Sequence, residues 1–146
     1  MEKLNFSVNI NAPKEKIWNI LWEDASYRIW TTPFCEGSYA VSDWKEGSKV
    51  LFLSPDGSGM VSKVAVKRPN AYMSFEHLGE VKNGIEDTTS ELVKQWQGST
   101  ENYTLEATKE GTLLKVDMDT SEGFKEYLQK AWPLALNKLK ELAERN

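Results

Sequence analysis

The chain has 146 residues, 40% of them hydrophobic and 27% charged, with a formal net charge of −4 and a sequence pI near 5.1. That is the composition of an ordinary globular domain, long enough to bury a substantial core as a single unit over residues 1–146. The acidic balance, with lysines and arginines scattered among acids, excludes a basic face for nucleic acid or an anionic membrane, and no apolar run approaches the ~20 residues of a membrane span.

Leu4, Phe6, Val8 and Ile10 alternate with Lys3, Asn5, Ser7 and Asn9, the pattern of a strand with one wet face. The polar/apolar alternation begins at once, so no secretory leader is expected. Ala12-Pro13 ends the strand, and proline suits the first turn of a helix. Ile17, Trp18, Ile20, Leu21 and Trp22 supply the buried face of that short helix, and residues 24–27 restart or continue it. Trp30-Thr31-Thr32-Pro33-Phe34 then leaves as an extended segment, because Pro33 disfavours helix at Thr32.

Four strands are expected at 37–42, 49–53, 59–67 and 71–78, separated by turn chemistry at 43–47, Ser54-Pro55-Asp56-Gly57 and Arg68-Pro69-Asn70. Short strands on short turns make an antiparallel meander. Residues 79–98 interrupt it with an unusually long connection. Within that connection Thr88 and Glu91 have capping-box spacing ahead of Leu92, Val93 and Trp96, so a short helix or a semi-ordered lid over the sheet–helix cavity is expected there. A hairpin follows, 101–109 and 112–120, and Ser121 is placed to cap a final helix.

That helix, 122–145, repeats Phe124, Tyr127, Leu128, Ala131, Trp132, Ala135, Leu139 and Leu142 at helical spacing. Pro133 removes one backbone bond inside it, so a kink near Gln129 to Pro133 is expected. At 1.5 Å per residue the helix is roughly 36 Å long and must lie across the sheet. The fold class expected is therefore α+β: a curved seven-stranded antiparallel sheet wrapped around one long C-terminal helix, with two short helices after the first strand. A hollow between sheet and helix is the natural place for a ligand.

Several pieces in this order resemble the SRPBCC superfamily, the START-like and birch-pollen-allergen-like helix-grip proteins. They are Ile10-Asn11-Ala12-Pro13 with Ile17-Trp18, Trp30-Thr31-Thr32-Pro33-Phe34, Gly47 before a strand, Glu101-Asn102-Tyr103-Thr104-Leu105, and the ending from Trp132 to Leu142. Within that superfamily the chain is most similar to the branch named after the activator of the heat-shock-protein-90 ATPase. The resemblance covers essentially the whole chain. It implies a cavity between sheet and long helix for a small apolar or amphipathic molecule, and it carries no universal catalytic residue.

The candidate ligand-binding set is Trp30, Phe34, Phe52, Phe75, His77, Trp96, Tyr103, Phe124, Leu128 and Trp132. Aromatics supply apolar walls, and otherwise simply fill the core. His77 shares the phase of Met73 and Phe75 and should face the concave side, where it could bond a ligand or serve as acid or base. No nucleophile or carboxylate partner is identifiable for it from spacing, so a structural histidine is the simpler reading. Cys35 has no local group to lower its pKa and is expected to be buried and inert. As the chain's only cysteine it forms no internal disulfide, which points to a reducing cytoplasm. With one histidine and one cysteine, no zinc site and no cofactor are expected. The Glu86-Asp87 pair and Glu91 lie in a polar stretch and read as solvated. The expected role is non-catalytic binding by a monomer or weak homodimer. Two alternatives stand beside it: a protein-interaction module using exposed aromatics, and a cyclase-, dehydratase- or hydrolase-type enzyme.

Overall fold

A computed structural model describes residues 2–145. In it β1 (Glu2–Ile10) leads into α1 (Lys14–Trp22) and α2 (Asp24–Trp30). The strands β2 (Tyr39–Val41), β3 (Lys49–Leu53), β4 (Gly59–Arg68), β5 (Tyr72–Lys82) and β6 (Ile85–Asp87) follow. After them come α3 (Glu91–Lys94), β7 (Thr100–Thr108), β8 (Gly111–Thr120) and α4 (Glu122–Glu144). The sheet is antiparallel throughout, in the order β1-β8-β7-β5-β4-β3-β2, with β6 added on β5. The seven expected strands are all present on this path, and β6 makes an eighth.

The eighth strand has a local cause. Asn83 and Gly84 have φ of 51° and 77°, the two positive values of a primed two-residue turn. That turn folds β6 back on β5, pairing Lys82 with Ile85 and Glu80 with Asp87. Strand β5 accordingly runs four residues past the expected end at Leu78. Gly79 is required here, since a Cβ on it would lie 2.0 Å from the Asp87 carbonyl oxygen.

Register shifts between Val61 and Ser62 and between Val64 and Val66 interrupt the β4–β5 ladder. Bulges of this kind bend a strand and increase its twist. On the concave face the core closes over Ile10, Ile17, Leu21, Trp30, Val64, Phe75, Leu114 and Leu139. Helix α4 packs on β1, α1 and α2 and continues unbroken across Pro133.

The buried side chains of α4 are Ala131, Trp132, Ala135, Leu136, Leu139 and Ala143. The expected stripe holds over that half. Phe124 and Tyr127, in the first two turns, are instead exposed. Ser121 occupies the N-cap position of α4 without a side-chain capping bond. In α3 the cap is Ser90, whose hydroxyl accepts from the Val93 amide, and not Thr88. Asp87 explains the change, since its carboxylate already accepts from the Thr89 and Ser90 amides and sets the chain entering the helix.

Candidate functional site

The concave face of the sheet, the end of α2 and the middle of α4 enclose a cavity of about 320 Å³. Its walls are set by strand alternation. Met60 comes from β4, His77 from β5, Glu101 and Tyr103 from β7, and Met118 from β8, all on the concave side. Trp30, Thr31, Phe34 and Cys35 line it from the end of α2 and the segment after it. Leu128 and Trp132, one turn apart, line it from α4.

Trp132 joins the walls. Its ring centroid lies 4.8 Å from Phe34, 6.0 Å from Tyr103 and 6.1 Å from Trp30. Its indole N–H donates to Met118 Sδ at 3.1 Å. The Trp30 indole donates to the Leu21 carbonyl at 3.3 Å, so both cavity-lining indole nitrogens have partners. At the opening, the Tyr127 hydroxyl donates to the Phe34 carbonyl, which ties α4 to the segment after α2.

One end of the cavity is polar. Ser62 Oγ lies 2.7 Å from His77 Nδ1, and His77 Nε2 lies 3.5 Å from Glu101 Oε1. Glu101 Oε2 accepts from the Tyr103 hydroxyl. Burial first, and the Glu101 charge second, raise the pKa of both Tyr27 and Tyr103, so both phenols stay protonated at neutral pH. The backbone fixes His77 as well: its amide donates to the Ser99 carbonyl at 2.8 Å and its carbonyl accepts from Gly98 at 2.9 Å.

Ser62 is completely buried and is not part of the cavity wall. It therefore orients the imidazole and offers no accessible nucleophile. Among the described residues no group of three or more His, Cys, Asp or Glu side chains gathers to hold a metal ion.

Of the candidate residues read from the sequence, Trp30, Phe34, Phe52, His77, Tyr103, Leu128 and Trp132 come together around the cavity. Three do not. Phe75 is fully buried behind the lining, edge-on to Phe52 at 5.2 Å and to Trp22 at 5.3 Å. Phe124 is 63% exposed on the first turn of α4. Trp96 follows α3, and neither it nor any other residue of 79–98 lines the cavity. That connection is no lid. Its length is taken up by the β5–β6 hairpin, and buried Val93 seats α3 against β5. Gln97 closes the segment by donating to the Leu78 and Thr88 carbonyls, each at 2.8 Å.

Cys35 is not buried, contrary to expectation. It is exposed at the cavity opening, because the tight turns after Thr31 carry it off the end of α2. Two residues of the polar end went unread in the sequence, Ser62 and Glu101. Their signal was alternation: Glu101 is in phase with Tyr103 and Leu105, and Ser62 with Met60 and Val64. Glu86 pairs with Lys49 at 2.9 Å on the outside.

The sequence profile described as Activator of Hsp90 ATPase homolog 1-like protein matches residues 11–144. No curated protein matches the chain. Among solved structures, a protein from Mesorhizobium loti superposes with a TM-score of 0.75 at 17% identity, over 99% of this chain and 98% of that one. The Aha1 dimer from Colwellia psychrerythraea gives 0.73 at 22% identity, over 99% and 97%. A putative protein of the dynemicin biosynthetic locus, DynU16, gives 0.69 at 15% identity, over 97% of this chain and 46% of that one. At such identities these likenesses speak for the fold, and it is the profile spanning nearly the whole chain that places it: the chain belongs to the Activator of Hsp90 ATPase homolog 1-like family, within the SRPBCC superfamily.

Proposed function

We propose that this protein is a cytoplasmic, non-catalytic binder that holds a small apolar or amphipathic molecule between the sheet and α4. The observation that carries the reading is the cavity itself. About 320 Å³ stands behind walls of Trp30, Phe34, Phe52, Tyr103 and Trp132, within the range of small-molecule sites and roughly the liquid volume of ten waters. Its polar groups sit at one end, as an amphipathic occupant requires. The buried setting of Ser62 argues for binding over hydrolysis, since the one hydroxyl bonded to His77 is out of a substrate's reach.

A second reading, an interaction surface that pairs two copies or recruits a protein, draws on exposed apolar groups along α4. Phe124, Tyr127 and Leu134 are 63%, 46% and 61% exposed, and the similar Colwellia protein was solved as a dimer. Native mass spectrometry of protein purified from its own host tests both. A one-chain mass carrying a small-molecule increment is expected. A bare one-chain mass, with no uptake of an added apolar fluorophore, would remove the binder reading. A two-chain mass without any increment would favour the second.

A further inference from the structure

The chemistry of the cavity's polar end narrows what the occupant's head group can be, and this step rests on the binder reading above. Among the described residues lining the cavity there is one carboxylate, Glu101, and neither lysine nor arginine. The lining serine and threonine hydroxyls are engaged already. Thr31 donates to the Tyr27 carbonyl and bonds Ser38, while Ser54 and Ser58 both donate to Asp56. Glu101 differs. Its Oε2 takes the Tyr103 proton donor, but Oε1 faces His77 Nε2 at 3.5 Å, longer than an ordinary N–H···O bond. That oxygen keeps acceptor capacity on the cavity wall. The one imidazole of the lining, His77, faces this carboxylate and not the open cavity, so the ionised Glu101 meets any head group without a cation left over to pair an anion.

We infer that the cavity takes a compact aromatic or apolar molecule ending in a hydrogen-bond donor, such as a phenol, alcohol, amide or amine, and rejects one ending in a carboxylate. Glu101 is the selecting group. Like charges confined in a water-poor site disfavour each other's ionised form, so an acid enters only by taking up a proton. Fatty acids and aromatic acids are thereby excluded as preferred ligands, despite the apolar walls.

The probes are naphthalene carboxamide and naphthoate, nearly the same in shape and opposite at the head group, titrated by calorimetry into the full chain at neutral pH. The carboxamide is expected to bind at least about tenfold tighter. In Glu101→Gln, which keeps an acceptor for Tyr103, the ratio should fall to about threefold or less. A measurement on the unsubstituted protein covers the case in which that variant does not fold. Repeating the naphthoate titration in buffers of different ionisation enthalpy should show about one proton taken up on binding. Naphthoate binding as tightly as the carboxamide, or entering without proton uptake, overturns the head-group inference and leaves the binder reading intact. Failure of both probes to bind overturns both.

Discussion

Trp132 touches Phe6 on β1, Phe34 after α2, Tyr103 on β7 and Met118 on β8. It is 3% exposed, so truncation removes a large apolar volume from a site where several elements meet. Trp132→Ala should lose about 3–5 kcal/mol of unfolding free energy in a urea titration. A loss under about 0.5 kcal/mol would mean that the ring is not core. Asp56 makes a different prediction at the same scale. Its carboxylate accepts from the Ser58 hydroxyl at 2.6 Å, the Ser58 amide at 2.9 Å and the Ser54 hydroxyl at 2.7 Å. Those bonds, the Ser58 hydroxyl foremost, lower its pKa from 3.8 to about 2. A depressed carboxylate pKa stabilises the fold above the unfolded value and loses that contribution as pH falls through the folded one. Asp56→Asn should therefore be less stable than the parent chain at about pH 5, with the gap closing as pH approaches about 2. A gap that stays constant over that window would show that the charge contributes nothing.

The element that departs most from its sequence reading is the connection 79–98. Its sequence holds a turn pair, Asn83-Gly84, and a capping pair, Thr88 with Glu91. The turn pair decides the structure: the segment is a hairpin followed by a docked turn of helix, not a lid. The backbone of that segment is tied down on both sides of α3, by Asp87 before it and by Gln97 and Gly98 after it. Hydrogen exchange should accordingly show the Val93, Gln97 and Gly98 amides equally protected with and without an apolar ligand. Protection that rises on ligand addition would return the segment to the cavity opening. For α4 the heptad-like stripe was readable from Ala131 onward because tertiary burial follows it there. Phe124 and Tyr127 continue the stripe in sequence, but neither is buried against the sheet. Periodicity cannot register that difference.

At the scale of the whole molecule, strand alternation and turn residues are enough to read seven of the eight strands and the long helix. The cavity's apolar wall was legible for the same reason: Phe52, Tyr103 and Trp132 are large aromatics on elements whose inward phase is evident, whereas Trp30, expected in an extended segment, closes α2. Its polar end was not. Ser62, His77 and Glu101 are separated by 15 and 24 positions and come from three different strands. Only the register of β4 on β5 and of β5 on β7, with the bulge at Val61/Ser62, brings them side by side. A residue list without that register shows a solitary histidine.

The uneven burial of α4 has an evolutionary consequence. The side chains by which the helix holds the fold together run from Ala131 to Ala143, whereas Leu128 is only partly buried and Tyr127 is exposed near the opening. Substitutions at Leu128 and Phe34, which line the cavity but are only partly buried, can change what it accepts at a smaller cost in folding free energy than substitutions at the fully buried positions from Ala131 onward. Trp132 is the exception, a member of both. A lineage carrying this chain is thus free to drift in ligand preference along one half of a helix while selection for stability acts on the other.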